Sequence, residues 1–327
     1  MTVNAAVPSR RTPVGLLTLG ETMGLVSAIG TGSLDYVHAF TFGIGGAESN
    51  VAIGAARLGV PVTWVGRIGS DATGDVIERR LRAEAINVRA IRDRSFTGLM
   101  VRHCRAGTAV HVDYHRAGSA GSHLTPSDLP AELIEQASIV HLTGITPALS
   151  DSARKTVQHA LAAAKAAAVP VSVDINYRSK LWERNHARPH LRELVSSADI
   201  VFAGIEEAQL VLDTHTGSAA SLAEGLSLLG PKEAIIKAGR DGCAACIDGA
   251  VLAEPAISVH LVDPVGAGDA FVAGYLTERL TGADAEQRLR TACAMGAYAV
   301  TVPGDCELLP TRNELDALLS PSDDVVR

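Results

Sequence analysis

Short apolar runs alternate with longer amphipathic stretches along most of the chain, and this alternation limits the fold more than any other feature. Val14 to Leu19, Val62 to Val65, Ser138 to Leu142, Val169 to Ile175, Asp199 to Phe202 and Ala234 to Lys237 read as buried strands. Helical periodicity runs through Asn50 to Leu58, Gly74 to Glu84, the Ala-rich stretch from Ser150 to Ala168, and Ser218 to Leu229. Ala267 to Leu280 and Asp284 to Val300 add two more helices. Strands apolar on both faces imply a mainly parallel sheet with helices on both sides, an α/β/α sandwich.

One region departs from this rhythm. Leu99 to Cys104 and Ala109 to Tyr114, joined by Arg105 to Thr108, read as an antiparallel hairpin. With Gly24 to Phe42 it predicts a small antiparallel β lid over about 24–42 and 96–119, set on a domain of 13–319. Residues 1–12 and 320–327 read as tails. A lid of this kind exposes a sheet edge that needs covering, which predicts a homodimer with two lids packed together.

Composition narrows the function. The 327 residues are 47% hydrophobic and 20% charged, enough for a sizeable core, and the net charge of -7 argues against nucleic acid or acidic membranes as partners. No run approaches the roughly 18 apolar residues of a spanning helix, and the polar start lacks a secretion signal. Five cysteines, an odd number, do not make a disulfide framework, so the cytoplasm is the expected compartment. Cys243-Ala244-Ala245-Cys246 has no second pair, and strand alternation would send its two thiols to opposite faces.

Four segments could carry chemistry. Asp263-Pro264-Val265-Gly266-Ala267-Gly268-Asp269-Ala270-Phe271 runs straight into a helix, where two glycines expose backbone amides to an anion and Asp269 stands beside it. A carboxylate next to such a cradle suits proton removal from the acceptor hydroxyl in phosphoryl transfer. The same residues also read as a plain helix cap. Gly45-Gly46-Ala47-Glu48-Ser49-Asn50 opens another helix, and Asn50 can both donate to and accept from a hydroxyl. Taken alone, that segment reads better as tight packing of a helix against the sheet. Arg116 in Tyr114-His115-Arg116, and Arg178 after Asp174, offer guanidinium forks for a carboxylate or phosphate, or serve as surface salt-bridge residues, the commoner fate of an Arg. Lys237-Ala238-Gly239-Arg240-Asp241-Gly242 is a nucleotide wall or a hairpin turn.

In this order the segments resemble the ribokinase-like (PfkB-type) carbohydrate kinases over about residues 14–319, and within them the 2-keto-3-deoxygluconate kinase branch. The resemblance implies a ribokinase-like fold and transfer of the γ-phosphoryl of Mg-ATP to a terminal hydroxyl of a sugar acid. It makes Asp269 the base and the amides of Gly266, Ala267 and Gly268 the anion hole. It places Gly46 and Asn50 on sugar hydroxyls, Tyr114, Arg116 and Arg178 on the acid end, and Lys237, Gly239 and Gly242 along the ATP site. Glu207 would act on Mg2+ through water, while Asp263 and the Val265 carbonyl would form a potassium site. Gly204, Met100 and His115 depart from the family pattern. The competing readings are a neutral-sugar kinase for fructose, ribose or a nucleoside, and a non-catalytic sugar or nucleotide binder. A nicotinamide dehydrogenase lacks its glycine fingerprint here.

Overall fold

The computed structural model describes residues 15–105 and 110–319. The expected tails, Val14 and the hairpin turn at 106–109 lie outside the described residues. In chain order the strands are β1 (Leu16–Leu19), β2 (Met23–Thr31), β3 (Phe40–Gly45), β4 (Val62–Gly69), β5 (Asn87–Asp93), β6 (Leu99–Cys104) and β7 (Val110–His115). After these come β8 (Ile139–Thr143), β9 (Val171–Asp174), β10 (Ile200–Gly204), β11 (Glu233–Lys237), β12 (Cys243–Ile247) and β13 (Ala250–Glu254).

Nine strands form one sheet in the order β13-β12-β11-β10-β9-β8-β1-β4-β5, parallel except where β12 and β13 turn back antiparallel at one edge. Side chains alternate between two cores. Ile200 and Phe202 join the helices Ala47–Arg57, Ala267–Thr281 and Ala285–Ala299 on one face. Val201 and Ala203 join Asp151–Ala166, Arg184–Ser196, Ile205–Leu212 and Ala219–Ser227 on the other. Cys243 lies in the first core and Cys246 in the second, so the two thiols do face opposite ways. The Ala267–Thr281 helix is buried almost all round, and Gly54 and Gly274 let its neighbours approach, since a Cβ on either would press on Ala273 or Met295.

The second sheet is the lid, ordered β3-β2-β6-β7. β6 and β7 form the expected antiparallel hairpin, but the central pair β2–β6 is parallel, so the lid is mixed. The reason is connectivity: β1 continues through Gly20-Glu21-Thr22 directly into β2, while the chain reaches β6 only after the excursion through β4 and β5.

Several elements escaped the sequence reading. β5 carries Arg89, Arg92 and Asp93 at the sheet edge, and charge at an edge masks a strand's apolar signal. The Arg184–Ser196 helix holds Pro189 in its interior and three charged or His residues in its first turn and a half. The Ala47–Arg57 helix starts earlier than Asn50, with Gly46 at its cap. Ser150 caps as anticipated, its hydroxyl accepting from the Ala153 amide at 3.1 Å.

Candidate active site

The chain leaves β5 for the lid and re-enters the large sheet at β8, on the other side of β1. Strand order therefore reverses at β1, the kind of place where open α/β sheets bind ligands beyond their carboxyl ends. A cleft of about 1020 Å³ opens between the lid and this edge, with Met23, Met100 and Tyr114 on the lid side and Gly46, Asn50, Gly266 and Asp269 on the body side.

Asp269 and Asn50 meet there. Asn50 Nδ2 donates to Asp269 Oδ2 at 2.8 Å, and Asn176 Nδ2 lies 3.5 Å from Oδ1. Burial pushes the Asp269 carboxyl up to about 7, Asp174 adds to the rise, and Asn50, Arg178 and Lys237 oppose it. A carboxylate of that basicity is suited to accept a proton near neutral pH. Asn50 Oδ1 is buried with no hydrogen-bond partner among the described residues. Asn176, which the sequence reading passed over, takes a left-handed φ of 39°, and such strain commonly marks a site.

The cradle is built as the glycines suggest. Gly266 caps the Ala267–Thr281 helix at φ 79°, and a Cβ there would strike the Asp305 carbonyl. The first-turn amides of this helix have no intrahelical acceptor, and with the helix dipole they favour an anion. Asp269 sits in the same turn.

Lys237 ends β11 beside the cradle, and a Cβ on Gly268 would lie 3.4 Å from its Nζ. Its ammonium lies 2.8 Å from both carboxylate oxygens of buried Asp174. Burial opposes the charge on Lys237, but Asp174 and Glu207 outweigh it and the pKa is raised. Glu207 accepts from the Gly204 amide at 2.7 Å and the Tyr177 amide at 2.9 Å, so it caps the Ile205–Leu212 helix from within. Gly239 and Gly242 form the tight turn between β11 and β12, at positive φ. Among the described residues no group of three or more His, Cys, Asp or Glu is placed to hold a metal. Mg2+ bound mainly by phosphates and water, with one carboxylate nearby, fits this donor set.

The residues expected at the acid end of the substrate separate. Arg116 donates to Glu21 through Nε at 2.8 Å and Nη2 at 2.6 Å, and Ser119 also donates to Glu21, so the Arg116 charge is already matched. Glu21 itself went unnoticed in the sequence, although its place just past β1 marks it as a site position. Arg178 is exposed on the cleft wall and makes no salt bridge among the described residues, although its charge acts on Asp269. Tyr114 carries two cations over its ring, Arg116 at 5.7 Å and Lys180 at 5.6 Å from the centroid. Met100 packs with Met23 and Leu25 into an apolar patch of the cleft. Gly46 cannot be enlarged without striking the Glu21 carbonyl.

The expected potassium site meets an obstacle. Asp263 is paired with Arg102 of β6 at 2.8 Å, and the residues there do not fit a potassium ion. Val265 donates its amide to Asp263 rather than standing beside a free carboxylate.

Residues 15–312 match the family model described as pfkB family carbohydrate kinase. The chain belongs to the pfkB family of carbohydrate kinases. Among its relatives, a 2-dehydro-3-deoxygluconokinase of Bacillus subtilis is 34% identical, covering 93% of this chain and 95% of the relative. A 2-dehydro-3-deoxygalactonokinase of Haloferax volcanii is 32% identical over 94% of this chain and 97% of its own. Of solved structures, a Thermotoga maritima 2-dehydro-3-deoxygluconokinase superposes with a TM-score of 0.87 at 26% identity, covering 93% of this chain and 97% of that one. The ribokinase-like α/β fold and the assignment as a carbohydrate kinase stand on these likenesses. No helix among the described residues of this pfkB kinase is long and apolar enough to cross a membrane.

Proposed function

We propose that this pfkB kinase transfers the γ-phosphoryl of ATP to the terminal hydroxyl of a 2-keto-3-deoxy sugar acid. The observation that carries the reading is Arg178, a guanidinium on the cleft wall that makes no salt bridge among the described residues and faces the same cleft as Asp269. An unpaired guanidinium suits a carboxylate ligand. The relatives named for 2-dehydro-3-deoxy sugar acids support the same class.

In this reading Asn50 and Asn176 hold the Asp269 carboxylate, which takes the proton of the attacking hydroxyl. The amides behind Gly266 bind the transferring phosphoryl, and Lys237 places positive charge beside them. Mg2+, arriving with the nucleotide, would offset phosphate charge, and Glu207 would act on it through water. Gly239 and Gly242 shape the nucleotide wall. The lid excludes water, so that a hydroxyl and not water attacks.

The test is ADP release over a panel of 2-keto-3-deoxygluconate, its galacto epimer, gluconate, fructose, ribose and adenosine. The keto-deoxy acids are expected to exceed the neutral sugars in kcat/KM, and Arg178→Ala to raise their KM by about 10- to 100-fold, the worth of a charged hydrogen bond. Neutral sugars as the better substrates, or an unchanged KM in Arg178→Ala, would overturn it. Exposed Ile29, Tyr36, Phe40 and Phe42 on the lid support a homodimer closed through it, which a monomeric mass in solution would contradict. A cytoplasmic location is part of the same proposal.

A further inference from the structure

Asp263 is held by three donors. The Val265 amide donates to Oδ1 at 3.1 Å, the Gly304 amide to Oδ2 at 3.2 Å, and Arg102 Nη2 lies 2.8 Å from Oδ2. Arg102 Nη1 also reaches Asp305 Oδ1 at 3.5 Å. All three side chains are largely buried, at 12%, 7% and 11% exposure for Arg102, Asp263 and Asp305. A potassium ion needs oxygen lone pairs turned toward it, whereas this carboxylate meets N–H groups and a fixed positive charge.

We propose that Arg102 is a tethered replacement for the monovalent cation, so that this kinase supplies the charge beside its anion cradle from its own lid and needs no potassium. The inference rests on the kinase reading above but concerns a different group.

Charge balance supports it. Asp263, Asp269 and Asp305 crowd the base of the cradle, and Asp305 is pushed up to about 7, by burial first and by Asp269, Glu307 and Asp263 after it, with Arg102 opposing. An incoming phosphate would meet this negative field, and one nearby cation offsets part of it. The location is also right. The Asp305 carbonyl presses against Gly266, so the loop that Arg102 holds lies directly behind the cradle. A guanidinium has five donors in a fixed fork and keeps its charge at any working pH, which lets it bridge two carboxylates. Arg102 acts through Asp263 and the loop, and is therefore a positioning residue.

The test compares KCl, NaCl and tetramethylammonium chloride at equal ionic strength, reading both ADP release and Tm. Wild type should be indifferent to the cation in both. Arg102→Met, which keeps the bulk and loses the charge, should lose about tenfold or more in kcat in tetramethylammonium, as expected when a buried pair is broken. Potassium should restore most of that rate and raise the variant's Tm, without doing so for wild type. A wild-type enzyme stimulated several-fold by potassium would overturn the proposal. So would a folded Arg102→Met that is equally active, or equally inactive, in all three salts. If Arg102→Met does not fold, Arg102→Lys decides: indifference to potassium supports the proposal, and stimulation refutes it. The Tm comparison needs no substrate, so it remains decisive even if no sugar on the panel is phosphorylated, a result that would sink the functional reading alone.

Discussion

Asn50 and Asp269, separated by 219 positions in sequence, share a 2.8 Å hydrogen bond at the floor of the cleft. The bond favours the ionised carboxylate, and burial disfavours it more, leaving the group at about 7. If Asp269 must be ionised to accept a proton, kcat/KM falls on the acid side with a midpoint near that value. Asn50→Ala removes the opposing hydrogen bond, so its midpoint moves to higher pH. Asp269→Asn loses the base itself, and the loss in kcat is expected to be about 10²- to 10⁴-fold. A pH–rate profile of the three proteins checks this, and an Asn50→Ala limb that stays in place contradicts it.

The same carboxyl sets a pH dependence of stability. Unfolded, an Asp titrates near 3.9, roughly three units below the folded Asp269. A raised folded value means the contribution to stability is full below about 4 and is lost as pH rises through 7. Above that range a buried charge weighs against the fold. Asp269→Asn carries no such charge, so its Tm should exceed wild type by several degrees at about pH 8 and match it near pH 4. Calorimetry across that range measures the difference. A gap that is constant with pH would mean that Asp269 is not desolvated as described.

How far the sequence disclosed this site depends on what each residue must do. Gly266 was legible because its left-handed turn into a helix demands glycine, whereas Gly268 was legible only as part of the same motif, since a Cβ there would meet nothing but Lys237 Nζ at 3.4 Å. Asn50 and Asp269 were legible only as members of separate segments, since nothing local says that they touch. Glu21 was not, because its work is to neutralise Arg116 from the β1–β2 connection, and pairing across a fold leaves no periodic trace. Arg102 was hidden for the same reason, inside a hairpin read only for its shape. The parallel sheet was readable from its apolar runs, whereas β5 and the Pro189-containing helix were masked by surface charge and by a residue that normally ends helices.

Lys237 and Asp174 give a further prediction. Asp174 is 1% exposed and its only cationic hydrogen-bond partner among the described residues is Lys237. Lys237→Met would leave that carboxylate and the half-buried Glu207 without their cation, and breaking a buried pair costs about 3–5 kcal/mol. Adding Asp174→Asn to Lys237→Met should recover much of the loss, because the stranded charge is gone. Denaturant unfolding of the single and double variants reads the coupling, and simple additivity would show that the pair is not a unit.

The last prediction separates packing from backbone strain at two glycines. Gly46 has φ 174°, extended backbone open to any residue, so only contact forbids a side chain there. A Cβ would collide with the Glu21 carbonyl and approach Ser49 Oγ at 3.0 Å and the Thr22 Cα at 3.1 Å. Glu21 holds Arg116, and Thr22 leads into β2, so the displacement passes to both the guanidinium and the lid. Gly46→Ala should therefore raise the KM for the sugar and lower Tm by a few degrees, the size of an overpacked site costing about 1–3 kcal/mol. Gly204 is the contrast. Its φ of -75° suits any residue, and an added Cβ meets only Glu207, at 3.5 Å, which is ordinary contact. Gly204→Ala should leave Tm and KM close to wild type. If the two substitutions behave alike in steady-state kinetics and thermal unfolding, the close approach of Glu21 to the Gly46 helix cap does not shape the sugar site.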